Sequence, residues 1–396
     1  MKLSGRERIM CALNHGTPDR VPATPDISIM IPTRLSGKAF YDPIDLTQAY
    51  IRAARYFGID GWMFNGSISY TYDATCRDVT YETKTLRDTY EVKEYLHIMH
   101  TPDGDLTSRT VSPRGVPATT VEKYIKDIKE QYKFLKYFFP DVTGYDTGVY
   151  LKQKEEMQDN GMICCFVECP GLHMYMGWMG IEELTYAYYD YPEIFEELCE
   201  KHDAICVRKM ELAADAGVES ILTGGSGAIT MQSPEIFRKM ALPTIKKVTK
   251  IAKQAGILTG IHCCGKEYAL AEACANETDL DYVNPLEVLP QGDCELADLK
   301  AKFGDKLALM GNLHTSRVML GDVSLVRLEA LKAIRDAGQG GGFVLSTGDQ
   351  CGYNTPYENI YEIVSVAKEF GPYPLDMDRI NSEIKRLEDS GVRMLD

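Results

Sequence analysis

Ile257-Leu258-Thr259-Gly260-Ile261-His262-Cys263-Cys264-Gly265 is a short apolar run that ends in side chains able to bind a metal and then in a glycine. A run of this length lying between long helical patterns reads as a buried strand that leaves a core and opens into a loop. In an extended segment side chains two apart point the same way, so His262 and Cys264 converge while Cys263 faces elsewhere. Ser346-Thr347-Gly348-Asp349-Gln350-Cys351-Gly352-Tyr353 follows another short apolar run and supplies a further thiol. One imidazole and two thiolates suit a tetrahedral zinc ion with one open position, as in a catalytic rather than a closed structural site. His262, Cys264 and Cys351 are therefore the candidate metal ligands. The competing reading makes them ordinary buried cysteines beside a core histidine.

The same strand-then-helix alternation runs along nearly the whole chain, the pattern of β/α units around a parallel sheet. Strands are expected at residues 21–31, 59–65, 163–168, 218–223, 257–262, 281–285, 307–312 and 342–347. Helices are expected at 45–57, 121–137, 192–216, 233–254, 266–275, 324–337 and 356–370. Eight units fit an α/β fold of the (β/α)8 TIM-barrel type, one domain over residues 1–396, with an open doubly wound sheet as runner-up. A barrel gathers its site where strands give way to loops, and most of the candidates fall there: Asn65, Glu168 and His262 end their strands, Asn284, Glu287, Asn312, His314 and Cys351 follow theirs, and Asp26 lies within the first strand region. Residues 66–117 break the alternation with β-branched and aromatic stretches and a turn at Thr101-Pro102-Asp103-Gly104-Asp105. They read as a β-hairpin insertion after the second strand, a lid or docking cap over the barrel mouth.

At 396 residues and 44% hydrophobic, the chain can bury a large core. A net charge of −15 argues against nucleic acid or an anionic membrane as partner. No stretch approaches the apolar length of a membrane span and the first residues lead into an amphipathic helix, so a cytoplasmic location is expected. Twelve cysteines without an export signal read as reduced thiols. Cys11, Cys76, Cys199, Cys206, Cys274 and Cys294 read as packing residues, and the spacing of Cys164, Cys165 and Cys169 matches no defensible metal site. So many thiols and methionines would suit an anaerobic host.

A zinc ion with an open position can activate water, polarise an oxygen or hold a thiol as thiolate, and spacing does not choose among these. The candidate catalytic residues are Glu168, Glu287, His314 and Asn312. A rival site would use Glu287 and His314 with Glu272 or Glu168 as zinc ligands, although carboxylates compete poorly with available thiolates. His173-Met174-Tyr175-Met176-Gly177-Trp178-Met179 suggests a broad, apolar and aromatic mouth.

Gly5-Arg6-Glu7-Arg8-Ile9-Met10, Thr17-Pro18-Asp19-Arg20-Val21-Pro22, Ser233-Pro234-Glu235-Ile236-Phe237, His262-Cys263-Cys264-Gly265, Met310-Gly311-Asn312-Leu313 and Gly341-Gly342-Phe343-Val344-Leu345-Ser346 together resemble the uroporphyrinogen decarboxylase superfamily. True decarboxylases of that superfamily carry an Arg-Gln-Ala-Gly-Arg segment near the start, and Ile29-Met30-Ile31-Pro32-Thr33-Arg34-Leu35-Ser36 lacks it here. The His-x-Cys-Gly element resembles the superfamily's zinc-dependent corrinoid methyltransferase branch, including methylcobamide:coenzyme M methyltransferases. Its ligands map onto His262, Cys264 and Cys351, the last displaced by the inserted Asp349-Gln350. The resemblance implies Zn2+, and a corrinoid (cobalamin) carried by a partner protein because no segment matches the Asp-x-His-x-x-Gly signature. It implies an O-demethylase component that moves a methyl group from a small methylated, possibly aromatic, substrate to cobalt. The alternatives are transfer from a methyl-corrinoid protein to a thiol such as coenzyme M, a metal-free decarboxylase, or a tetrapyrrole-binding module without catalysis. The sequence leaves methyl donor and oligomeric state open.

Overall fold

The computed structural model describes residues 2–73, 78–168, 177–224, 229–230 and 233–393. β1 (Gly61–Gly66) opens the main sheet. The chain then leaves it for β2 (Ser69–Tyr72), β3 (Thr80–Asp88), β4 (Val92–Thr101), β5 (Gly104–Pro113), β6 (Thr119–Glu122) and β7 (Val142–Asp146). It returns through β8 (Gly161–Phe166), β9 (Ser220–Thr223), β10 (Leu258–His262), β11 (Tyr282–Asn284), β12 (Ala308–Leu313) and β13 (Phe343–Thr347). β1 and β8 to β13 form one parallel sheet in the order β1-β8-β9-β10-β11-β12-β13. Helices separate the strands, among them Pro192–Asp215, Leu242–Gln254 and Val323–Ala337.

The sheet curls until its edges meet across residues 22–24. Ala23 pairs with Leu345 of β13 in parallel, through Thr24 N–H to the Leu345 carbonyl and Leu345 N–H to the Pro22 carbonyl, both at 2.9 Å. On the other side Asp60 N–H donates to the Ala23 carbonyl and Ala23 N–H to the Asp60 carboxylate, each at 3.0 Å. This stub replaces the long strand expected at 21–31. Pro22 and Pro25 have no N–H to give a ladder, and the chain turns into a helix at Met30–Leu35.

Alternation along the strands fills the barrel. Trp62, Met162, Leu222, Leu258, Tyr282, Met310 and Val344 pack inside it, and Ile9 and Leu13 join them from the helix Gly5–Leu13, whose capping box of Ser4 and Glu7 fixes its start. Gly260 makes the room that Tyr282 fills: a Cβ at 260 would collide with the phenol ring. Gly260→Ala should therefore cost about 3 kcal/mol, the upper end for overpacking a tight core. A urea midpoint equal to that of the wild type would contradict this packing.

The inserted hairpin is part of something larger. β4 and β5 pair across the turn at Thr101–Gly104, and β3 and β6 flank them in a four-stranded antiparallel sheet, while β2 pairs with β7. Residues 121–137 are not the expected helix. Thr119 and Thr120 complete the sheet instead, and only Tyr132–Phe138 winds, as a 3-10 turn. Ile125, Ile128, Phe134, Leu135 and Phe138, whose spacing suggested a helix, fill a second core under the sheet with Leu184, Phe195 and Leu198. The segment read as one helix at 233–254 is two, Pro234–Met240 and Leu242–Gln254, the second with Pro243 in its first turn.

Candidate metal centre

His262 is the last residue of β10. The alternation that sends Leu258 into the barrel and Ile261 into the outer core directs His262 inward at the strand's C-terminal end. Cys263 faces the outer core, and its N–H donates to the Asn284 carbonyl at 3.0 Å. The loop beyond Cys264 turns at Gly265, φ 99°, whose N–H donates to the Glu287 carboxylate at 2.5 Å.

Among the described residues, one group of three potential ligands converges: His262, Cys264 and Asp349. Their ligand atoms all lie within 4.8 Å of one another, and all three residues are half-buried. Cys351 stands outside this group. The chain bends at Gly348 and Asp349 just past β13, which breaks the period of two and brings Asp349 beside His262 and Cys264. Cys351 N–H donates to the Asp26 carbonyl at 2.7 Å, and its side chain is 1% exposed in the outer core. Burial pushes its thiol up to about 12.

The surroundings are crowded with carboxyl groups, which disfavour one another's charged form. Burial first, and the charge of Asp349 in addition, pushes up the carboxyl groups of Asp26, to about 7, and of Glu267 and Glu287. Ser28 holds Asp26 through its N–H and hydroxyl. Glu267 is fully buried; one oxygen accepts Glu287 N–H at 3.2 Å and the other has no hydrogen-bond partner. An imidazole, a thiol and a carboxylate within reach of one point fit a divalent cation, and this mixed N, S and O set suits zinc.

The other candidates lie elsewhere. Asn312 is buried and donates to the Cys294 carbonyl at 3.3 Å. His314 N–H donates to the Glu329 carboxylate at 3.2 Å, and burial, with the charge of Arg317, lowers the imidazole pKa. Both line a cavity of about 330 Å³ with Arg317 and Glu329. Glu272 is exposed on the helix Tyr268–Glu277, so the rival set of Glu287, His314 and Glu272 or Glu168 does not assemble. Cys164 contacts Tyr282 and Ser220 inside the barrel while Cys165 packs outside it. Cys76, Cys169 and residues 173–176 lie outside the described residues.

Glu168 follows β8 by two residues, and its carboxylate pairs with the Lys209 ammonium and lies 4.0 Å from His202 Nε2. Burial would raise its pKa, but the hydrogen bond to His202 and the charge of Lys209 outweigh that and bring it down to about 2. So weak a base accepts protons poorly near neutrality. Because the folded pKa is depressed, this pair contributes stability above the unfolded value near 4.5 and loses it as pH falls toward about 2. The gap in urea midpoint between wild type and Glu168→Gln should shrink across that window. A gap that stays constant would contradict the pairing.

The family profile described as Uroporphyrinogen decarboxylase (URO-D) matches residues 149–370, more than half of the chain and the part that carries β8 to β13. The chain belongs to the uroporphyrinogen decarboxylase family. Similar curated URO-D proteins include the uroporphyrinogen decarboxylases of Coxiella burnetii strains Dugway 5J108-111 and RSA 493 / Nine Mile phase I, each 22% identical over 195 residues, 46% of this chain and 49% of theirs. The chain thus spans about half the length of the curated relatives it matches. A solved structure, a methyltransferase from Methanosarcina mazei, superposes with a TM-score of 0.64 at 16% identity, covering 93% of this chain and 99% of that one, which establishes the fold. In URO-D terms the chain departs where a carboxylate clamp would lie: its one arginine there, Arg34, donates to the carbonyls of Tyr353 and Thr355 at 2.9 and 2.8 Å and stacks on Tyr357 at 4.2 Å.

Proposed function

We propose that the chain is a zinc-dependent methyltransferase that moves a methyl group from a small methyl ether to the cobalt of a corrinoid held by a partner protein. The observation that carries this reading is the convergence of His262, Cys264 and Asp349 at the C-terminal end of a β/α barrel. Arg34, the one arginine where a carboxylate clamp would lie, is already engaged with the carbonyls of Tyr353 and Thr355, so decarboxylation is disfavoured.

His262, Cys264 and Asp349 would hold the ion, and Glu287 positions the Cys264 loop through Gly265. A zinc ion bound there supplies Lewis acidity to an ether oxygen as the C–O electron pair returns to it, and a carboxylate ligand in place of a second thiolate keeps that acid hard enough to favour oxygen over sulfur. A cobalt(I) corrinoid on the partner protein would supply the electron pair that takes up the methyl group. The inserted sheet, with Tyr81, Leu86 and Tyr90 exposed, is the candidate docking cap for the corrinoid protein.

The test is formation of methylcobalamin from cob(I)alamin and a methoxyarene. We expect it with zinc-loaded protein and at least about a 100-fold loss after chelation, because removing a ligand-bound ion exceeds the effect of disturbing its outer partners. Turnover of a porphyrinogen by metal-free protein would instead establish the decarboxylase.

A further inference from the structure

An aromatic cavity of about 280 Å³ lies between the inserted sheet and the helix Pro192–Asp215, with Tyr72, Tyr124, Tyr137 and Trp178 on its walls and the Glu168–Lys209 pair at one side. Its rings are already held in place. Trp178 packs on Phe138 at 4.6 Å and edge-on to Phe139 at 5.3 Å, and Tyr137 donates its hydroxyl to Asp103 at 2.6 Å. Such walls bind either a cation or a flat ring.

The charge balance chooses between them. Lys209 already sits over Tyr70 and Tyr72, at 5.2 and 5.8 Å, and neutralises Glu168, so a second cation would meet an ammonium instead of an open carboxylate. The volume suits one substituted ring and not a tetrapyrrole. The cavity borders the same end of the sheet: Glu168 follows β8, Thr223 at the end of β9 donates to the Glu168 carbonyl, and β10, which ends in His262, lies two strands from β8.

We infer that this cavity binds a neutral aromatic ring bearing oxygen substituents, with the inserted sheet as its roof. The inference rests on the methyltransferase reading for what the ring delivers, but ring binding itself needs neither zinc nor corrinoid.

The test is calorimetric titration of chelated full-length protein with 2-methoxyphenol, alongside fluorescence quenching in Trp62→Phe, which leaves Trp178 as the one remaining tryptophan of two. Saturable binding that quenches Trp178, weakens at least about 5-fold in Trp178→Ala and recovers in Trp178→Phe supports the inference. Equal affinity in Trp178→Ala, no saturable binding, or tighter binding of tetramethylammonium would overturn it. Methyl transfer by the zinc-loaded protein from a donor that leaves Trp178 unquenched would remove the cavity from the account and keep the chemistry. Ring binding without zinc-dependent transfer would do the reverse.

Discussion

Asp349→Ala protein is expected to lose zinc affinity and methyl transfer by at least about 100-fold, and Cys351→Ser to keep both within about 3-fold, since losing a direct ligand exceeds the 10–100-fold cost of losing an outer partner. The contrast follows from geometry: Asp349 shares with His262 and Cys264 a space in which all ligand atoms lie within 4.8 Å, whereas the Cys351 side chain is buried in the outer core. His262→Ala and Cys264→Ser should match Asp349→Ala. Zinc content after dialysis against a buffered chelator, read beside the transfer rate, checks all four. Full retention in Asp349→Ala with loss in Cys351→Ser would reverse the assignment.

Arg8→Ala should lower stability by about 1.5–3 kcal/mol, the range for losing a hydrogen bond to a charged group, since Asp60 keeps Arg20 as a partner. Arg8 is 4% exposed and bonds both Asp19 and Asp60 at 2.6 Å, and Asp60 is also paired with Arg20. Asp60 in turn holds Ala23 N–H, so this cluster clamps the two-sided stub that closes the barrel. Because the stub offers few ladder bonds of its own, the loss should spread beyond the ion pair. Urea unfolding measures the effect, and hydrogen exchange should show faster opening of the amides at Ala23 and Asp60 in particular. A change below about 1 kcal/mol would mean that the buried pair is merely tolerated.

The parallel strands were legible because each is a short, fully buried apolar run between long amphipathic stretches, as in Leu258–His262 and Phe343–Thr347. The closing stub was not, since residues 21–31 carry strand-like apolar content while Pro22 and Pro25 decide the hydrogen bonding. Residues 121–137 misled for the opposite reason: their helical spacing of apolar residues serves a core beneath a sheet. At the proposed site, ligand type and alternation along one strand pointed to His262 and Cys264, which the structure brings together. Asp349 was read only as an insertion before Cys351, because a thiol outranks a carboxylate as a zinc ligand and the bend after β13 has no sequence signature beyond Gly348. Glu267 gave no signal at all, since a glutamate beside Lys266 reads as solvated surface.

Zinc K-edge absorption of the purified, metal-loaded protein tests the assignment most directly. We predict about one zinc per chain with a single sulfur near 2.3 Å and the remaining ligands nitrogen or oxygen at about 2.0–2.2 Å. A shell of two sulfurs, or a protein that transfers methyl groups while binding no metal, would contradict it.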